Sequence, residues 1–378
     1  MDITLEELRR AEKKDICCAD IRSKIAYDHG HIPGAIWLDR ELGTEALERL
    51  PKDKKLVVYC SIGEQSREIV EHLTNAGFEA YNLSGGYRAW LLEECGELSD
   101  GEIARYERQI ILPEVGIEGQ KRLKNASVLI IGAGGLGSPA ALYLAAAGVG
   151  RIGIADADEV SISNLQRQVL HAAENVGKNK AESAKEGMER INDTIDVVTY
   201  PCFLTPQNIS AILEEYDFII DAVDNFETKF LINDACVLAG KPFCHAGILR
   251  FEAQIMTWVP KAAASVPCYR CIFEEIPEAG SVPNCGQAGI IGAVAGIAGC
   301  IQALEAVKYI LGIGELLTGK MLVLDGLTLR FRTVNFQGRS ETCRVCGEKK
   351  DIFDVAANAS EYERKACTLA ERGDRADS

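Results

Sequence analysis

Three groups of residues in this sequence have types and spacings that can do chemistry. The first is a pair of Cys-x-x-Cys units, Cys268-Tyr269-Arg270-Cys271 and Cys343-Arg344-Val345-Cys346. Two thiolates from each unit can close a tetrahedral Zn²⁺ site, and such a metal would staple the end of a domain back onto its middle. Either unit alone could equally be redox-active or inert. The second is Cys60, which ends the apolar run Lys55–Tyr59 and precedes a helical segment that starts near Ser66. In the loop Cys60-Ser61-Ile62-Gly63-Glu64-Gln65 the sulfur would face backbone N–H groups and a helix N-terminus, and both favour the reactive thiolate. The plain alternative is a half-buried cysteine at the end of a strand.

The third group is Ser127–Asp156, SVLIIGAGGLGSPAALYLAAAGVGRIGIAD. Val128–Ile131 reads as a buried strand and the Ala-rich run Ser138–Ala147 as a helix. Between them lies Gly132-Ala133-Gly134-Gly135-Leu136-Gly137. Glycines there let the backbone turn tightly against a phosphate, and the helix N-terminus then offers N–H groups and partial positive charge to it. Gly148 would stop the helix, and Arg151–Ala155 would form the next strand. Asp156 follows about 20 residues after the glycines, where a carboxylate can bond a ribose hydroxyl.

A dinucleotide dehydrogenase would share the glycines and the acid. The residues that follow favour a triphosphate instead. Arg167 and Lys180 lie in polar loops after the second strand, where the carboxyl edge of a sheet would be. A carboxylate attacking an α-phosphorus brings two anions together, so arginine, lysine and Mg²⁺ are needed to neutralise the charge. Asp224, in the segment Ala222-Val223-Asp224-Asn225 that ends the run Phe218–Asp221, is a candidate Mg²⁺ ligand. The plain alternatives are solvated charge for Arg167 and Lys180, and a helix N-cap for Asp224.

Elements must position these groups. Asp15–Asp20, Lys55–Tyr59 and Glu79–Leu83 read as strands around a helix at Ser66–Ala76, which predicts a small α/β unit with a parallel sheet. The polar connector Glu94–Gly101 marks a boundary, giving domains at 1–96 and 98–347. Further strands are predicted at Ile195–Thr199, Phe218–Asp221, Pro242–His245, Glu252–Val259, Leu322–Leu324 and Leu329–Asn335. Helices are predicted from Lys180 to about Arg190, at Glu227–Leu238 and at Ile290–Ile310. The fold class is therefore α/β: a Rossmann-like domain with a mostly parallel sheet, preceded by the smaller unit. Residues 348–378 are charged and weakly apolar, and disorder is expected there.

The chain has 378 residues, enough for two or three domains each with its own core, and a formal net charge of −15 that argues against a nucleic-acid surface. The first residues show no apolar export segment. A cytoplasmic location is expected, with most of the 14 cysteines as free thiols. No membrane span is expected; the most apolar window, Ala288–Ile301, is short and runs into Gln302, Glu305 and Lys308. The five histidines show no ligand spacing, and the cysteines other than Cys60, Cys285 and the two pairs read as packing residues.

Residues 10–93 closely resemble a rhodanese domain, through Asp20-Ile21-Arg22, His29-Gly30-His31-Ile32-Pro33-Gly34-Ala35, Val58-Tyr59-Cys60-Ser61-Ile62-Gly63 and Leu83-Ser84-Gly85-Gly86-Tyr87-Arg88-Ala89-Trp90. The resemblance implies that Cys60 carries a persulfide. Ser61 and Gln65 stand where thiosulfate-using members often have arginine, and Glu64 adds negative charge. The implied sulfur source is therefore a persulfide donor protein such as a cysteine desulfurase.

From about Leu98 to Gly347 the chain resembles the ThiF/MoeB/HesA family, relatives of ubiquitin-activating enzymes. The motifs are RYxRQ, GxGGLGS, SNLQRQ, CYRC, CxxC and a DNxxxR-like segment in which Lys229 replaces the usual arginine. The resemblance implies an adenylyltransferase that uses ATP. Gly135 would touch the nucleotide, and Asp156 would hold the ribose. Ser163, Asn164, Arg167 and Lys180 would line the phosphates, and Asp224 with Asn225 would serve Mg²⁺. Arg108 would reach the neighbouring subunit's site in a homodimer. Cys285 would take part in covalent acyl or disulfide intermediates. The implied substrate is the C-terminal Gly-Gly carboxylate of a ubiquitin-like sulfur carrier, activated as an acyl-adenylate and converted to a thiocarboxylate for molybdopterin or thiamine biosynthesis. A second reading makes the protein a nucleotide-binding regulator, or a dehydrogenase-like protein, with a non-catalytic rhodanese docking module.

Overall fold

The computed structural model describes residues 1–362 except 13, 29, 42, 44–46, 95–97, 263–265 and 279–287. The chain forms two compact units, Met1–Lys121 and Arg122–Ser378.

The first unit holds a five-stranded, all-parallel sheet in the order β1-β5-β4-β2-β3. Its strands are β1 (Asp2–Ile3), β2 (Ile16–Asp20), β3 (Ile36–Trp37), β4 (Lys55–Tyr59) and β5 (Ala80–Leu83). Central β4 is an unbroken apolar run because both of its faces are covered. Leu56 and Val58 pack with Val70 and Leu73 of the helix α3 (Ser66–Asn75). Val57 and Tyr59 face the other way, with Leu5 and Leu8 of α1 (Leu5–Arg10). Two short helices, α2 (Lys24–Asp28) and α4 (Gly86–Glu94), also belong to this part. The division at Lys121 lies beyond the polar connector. The physical reason is a small cluster in which Leu98, Ile103, Tyr106 and Ile110 pack with Leu91 and Ile117. It joins α4 to α5 (Asp100–Ile110) and to α6 (Gly116–Asn125).

The second unit holds an eight-stranded sheet in the order β13-β12-β11-β10-β9-β6-β7-β8. Its parallel part is β6 (Ser127–Ile131), β7 (Arg151–Ala155), β8 (Asp196–Tyr200), β9 (Phe218–Asp221) and β10 (Phe243–Leu249). Antiparallel β11 (Glu252–Trp258), β12 (Lys320–Asp325) and β13 (Arg330–Asn335) extend one edge. The first strand, β6, lies between β7 and β9, so the winding reverses direction there. Ligands bind beyond the carboxyl ends of strands at such a switch point.

Helices on this sheet include α7 (Gly137–Ala147), α8 (Lys180–Ile191), α9 (Ile209–Glu214), α10 (Phe226–Ala239), α11 (Tyr269–Phe273) and α12 (Gly292–Leu311). Gly148 ends α7 at φ 80°, in the left-handed region that suits glycine. Helix α12 is long and apolar enough to cross a membrane, and half of it is buried within the protein. Its buried Gln302 donates to the carbonyls of Asp221 and Cys244, at 2.7 and 3.0 Å, and its buried Glu305 accepts from Thr257 at 2.6 Å.

The expected disorder from Glu348 is corrected through Tyr362. Ile352, Val355 and Tyr362 are buried, and Arg344 bonds both Asp351 and Glu361.

Candidate nucleotide cleft, sulfur loop and cysteine cluster

The loops after β6, β7 and β9 converge on a cleft of about 620 Å³, a volume suited to a small-molecule ligand. Gly134, Gly135, Asp156, Arg167, Lys180 and Asp224 are all on its wall. The glycines have steric reasons to be there. Gly132 sits at φ 100°, and a Cβ on it would lie 2.8 Å from the Ala222 carbonyl oxygen. A Cβ at Gly137 would lie 1.8 Å from the Gly132 carbonyl oxygen, so only glycine lets α7 begin this close to the end of β6.

The loop is held by residues around it. Asp156 accepts from the N–H of Ala133 at 2.8 Å and from the N–H of Asp158 at 2.9 Å. Burial raises its pKa, against the opposing pull of Lys180 and these two N–H groups. His171 bonds the Ala133 carbonyl through Nε2 at 2.9 Å and Ser183 Oγ through Nδ1 at 2.8 Å. Because a carbonyl only accepts, Nε2 carries the proton, and burial lowers the pKa of this imidazole. The peptide at Ala133 is thus fixed on both sides. Lys180 pairs with Asp158 at 2.8 Å, one helix position after the cap Asn179.

Ser163 and Asn164 do not appear on the cleft wall. They build the turn beneath Arg167: the Asn164 side chain accepts from Ser161 N–H at 3.1 Å, and Arg167 donates to the Ser163 carbonyl at 3.1 Å. Asn225 is the N-cap of α10, accepting from Thr228 N–H at 2.9 Å. The cap is therefore Asn225 and not Asp224, whose carboxylate is exposed at the cleft and is an oxygen donor of the kind divalent cations take. Arg108 is exposed in the last turn of α5, in the first unit. Cys285 lies outside the described residues, as does His29. Cys202, expected to be a packing residue, is exposed at the cleft.

A buried charge cluster, of which only Lys229 belongs to a sequence motif, lies at the cleft. Lys229 Nζ lies 3.3 Å from Asp221 Oδ1 and donates to the Ala246 carbonyl at 2.7 Å. His245 Nδ1 lies 2.7 Å from Asp221 Oδ2. Burial works against the Asp221 charge, but Lys229 and His245 outweigh it and lower its pKa. Burial, and then Lys229, push His245 down to about 4, so its ring is neutral at pH 7.

In the first unit, Cys60 sits at the end of β4 with its sulfur turned into the loop. Gly63 N–H lies 3.2 Å from Sγ and the Ser66 hydroxyl 3.4 Å. Burial disfavours the thiolate, but bonds from Ser66, Ile62 and Gly63 outweigh it, and the pKa is lowered. The start of α4 sets this geometry. Tyr87 and Arg88 N–H groups donate to the Cys60 and Ser61 carbonyls, at 2.8 and 2.9 Å, and so tie the first peptides of the loop to the helix. At Gly86 a Cβ would lie 2.4 Å from the Cys60 carbonyl oxygen. The Asp20-Ile21-Arg22 motif forms a buried pair, Arg22 to Asp20 at 2.6 Å, stacked 3.6 Å from the Tyr87 ring. Arg40 reaches the rim of the loop, donating to Gln65 at 2.6 Å, a cation not foreseen from the sequence. Ser66→Ala is expected to move the pH midpoint of Cys60 alkylation upward, because it removes a hydroxyl that is shared between Asn82 Oδ1, at 2.6 Å, and the thiolate. Rates measured from pH 6 to 10 would check this; an unmoved midpoint would reject the role given to Ser66.

The four cysteines of the two pairs come together. Their sulfur atoms lie within 4.8 Å of one another. Cys268 is 3.7 Å from Cys343 and 3.6 Å from Cys346, and Cys271 is 3.3 Å from Cys346. Zinc–sulfur bonds of about 2.3 Å in a tetrahedron put sulfurs about 3.8 Å apart, so the set fits Zn²⁺. The Ser340 N–H and the Asn233 amide point at Cys271 and Cys268, at 3.4 and 3.7 Å, as donors do around metal thiolates. Arg270, inside the first pair, forks onto Asp234, and Tyr362 donates to the same carboxylate at 2.8 Å.

Comparison with known proteins finds two family matches along the chain. The sequence model of the ThiF family matches residues 106–345, and that of the rhodanese-like domain matches residues 4–93. An adenylyltransferase and sulfurtransferase MOCS3 of Culex quinquefasciatus is 46% identical over 256 residues, covering 68% of this chain and 58% of that protein. A probable adenylyltransferase/sulfurtransferase MoeZ of Mycobacterium tuberculosis (strain CDC 1551 / Oshkosh) is 43% identical over 285 residues, 75% of this chain and 73% of that one. The chain thus spans somewhat over half the length of the MOCS3 relatives it matches. Among solved structures, E. coli MccB with ATP is similar at a TM-score of 0.56 and 26% identity, over 68% of this chain and 76% of that one.

Proposed function

The chain belongs to the ThiF family, and from that premise we propose that it adenylates the C-terminal glycine of a ubiquitin-like sulfur carrier and supplies the sulfur that replaces AMP. The observation that carries this reading is the gathering of Gly135, Asp156, Arg167, Lys180 and Asp224 around one cleft at the sheet's switch point.

The glycine loop and the start of α7 offer N–H groups to phosphate oxygens. Asp156 holds the ribose and the loop together. Arg167 and Lys180 balance charge as the carrier's carboxylate oxygen attacks the α-phosphorus and pyrophosphate leaves. Mg²⁺ held at Asp224 would supply further neutralisation of the leaving pyrophosphate. Arg108, exposed on α5, completes the site of a second copy in a homodimer. The terminal sulfur of a Cys60 persulfide then attacks the carrier's acyl carbon, and AMP leaves. A second thiol, for which Cys285 is the candidate, attacks the Cys60 sulfur. This releases the thiocarboxylate and leaves a disulfide for an external dithiol to reduce. The persulfide comes from a donor such as a cysteine desulfurase, and the product serves molybdopterin or thiamine biosynthesis in the cytoplasm. Zn²⁺ in the four-cysteine cluster is structural.

The test is ATP–pyrophosphate exchange with a purified carrier ending in Gly-Gly, followed by mass measurement of the carrier with a persulfide donor present. Exchange is expected only with the carrier. Cys60→Ser is expected to keep exchange and lose the thiocarboxylate. Nucleotide binding without exchange would support a regulatory protein instead. Full thiocarboxylate yield from Cys60→Ser would reduce the rhodanese unit to a docking module.

A further inference from the structure

Beyond the phosphate-binding loops, the cleft continues over β10, whose Gly247, Ile248 and Leu249 line it together with Tyr269 and Phe273. Strand β9 pairs with β10 only from Phe243 to His245, so β10 runs past its parallel neighbour and becomes the wall. His245 is the last residue of that pairing. It is 4% exposed and lines the cleft.

One face of this imidazole is fixed. Nδ1 meets Asp221 at 2.7 Å, and Asp221 is itself paired with Lys229. An ionised carboxylate only accepts, so Nδ1 carries the proton and Nε2 of the neutral ring carries a lone pair. Among the described residues no donor reaches Nε2. A Cβ built on Gly247 would lie 3.7 Å from Nε2, so the missing side chain leaves the space over this nitrogen open. An acceptor that faces a cleft is placed to take an N–H from whatever binds there.

We propose that Nε2 of His245 accepts a backbone N–H from the peptide whose C-terminal carboxylate is activated, and so positions that carboxylate in the cleft. This rests on the adenylating reading above and names a positioning residue for it. A glycine-rich peptide end fits the surroundings. It brings N–H donors without side chains, and the bare Cα of Gly247 admits a close backbone approach. Nε2 cannot bond a bare phosphate oxygen, since both would be acceptors. Lys229, which shares Asp221 with His245, spends its ammonium group on that carboxylate and the Ala246 carbonyl.

The experiment uses the full chain, ATP and a semisynthetic ubiquitin-like carrier ending in Gly-Gly. Three forms of the carrier are compared: all-amide, and two with an ester replacing the amide before the last or the penultimate glycine. Each ester removes one N–H. The KM for one of the two ester carriers in ATP–pyrophosphate exchange is expected to rise about tenfold, with the KM for ATP unchanged. His245→Phe is expected to raise the KM of the all-amide carrier and to abolish the amide–ester difference. Gly247→Ala, which puts a methyl over Nε2 without disturbing the Asp221 pair, is expected to do the same should the His245 variant fail to fold. Two ester carriers that behave like the amide would overturn the proposal, as would an ester effect that survives both variants. A change in the KM for ATP alone would assign Nε2 to the nucleotide and overturn it too. Absence of any exchange with the all-amide carrier would instead overturn the adenylating reading, and this inference with it.

Discussion

Cys343→Ser is expected to leave the protein without its metal and without a folded second unit. The native chain should carry about one zinc per molecule by metal analysis, and the variant close to none. A structural Zn²⁺ site contributes about 10 kcal/mol or more in small domains, comparable to the whole stability of an ordinary one. The loss should be this large because of what the cluster connects. Cys268 and Cys271 flank the start of α11, while Cys343 and Cys346 form a knuckle far along the chain. Arg344 in that knuckle holds Asp351 and Glu361, and Tyr362 closes onto Asp234 beside Arg270. Removing one of the four sulfurs that would hold the metal would free the knuckle, and the segment through Tyr362 would lose its anchor. Asp234, whose pKa burial already raises, then loses the Tyr362 hydroxyl that favours its charged form. Thermal melting and metal analysis on the same sample would check this. A variant that lost the metal and melted unchanged would show that the cluster does not hold the fold.

That segment also shows where sequence reading stops. Residues 348–362 look disordered because they open on a charged run and their apolar residues follow no period. Three buried anchors, Ile352, Val355 and Tyr362, together with one forked arginine, are enough to hold them. Such anchors have no helical or strand period, so pattern analysis has nothing to detect. The parallel strands were legible for the opposite reason. Covered on both faces, they are runs such as Val128–Ile131, bounded by glycine or by a polar turn. The glycine loop, Asp156, Arg167, Lys180 and Asp224 were legible because spacing along one βαβ unit and the strand ends after it fixes where they go.

His171 and His245 were not legible. One bonds a carbonyl 38 positions away, and the other a carboxylate 24 positions away. Those distances come from tertiary packing, and no motif encodes them. Ser163 and Asn164 illustrate a different limit. Their place in the chain was foreseen, but their side chains and carbonyls build the turn that aims Arg167.

Asp224 and Asn225 are adjacent, and their variants are expected to fail in opposite ways. Both residue types make good helix caps, so sequence alone could not separate them. In the structure Asn225 accepts from Thr228 N–H at 2.9 Å, and the Asp224 carboxylate stays at the cleft. Asn225→Ala removes a cap from α10 and should cost about 1 kcal/mol, seen as a fall of about 2–4 °C in Tm for a unit of this size. Asp224→Ala leaves the cap in place, so Tm should hold. It removes the anion that would hold a divalent cation against the leaving pyrophosphate, and kcat for ATP–pyrophosphate exchange should fall about 10²–10³-fold. Higher Mg²⁺ should recover part of Asp224→Asn, which keeps an oxygen ligand, and none of Asp224→Ala. Full exchange activity in Asp224→Ala would remove the metal from this position. A lowered Tm in that same variant would make Asp224 a structural residue.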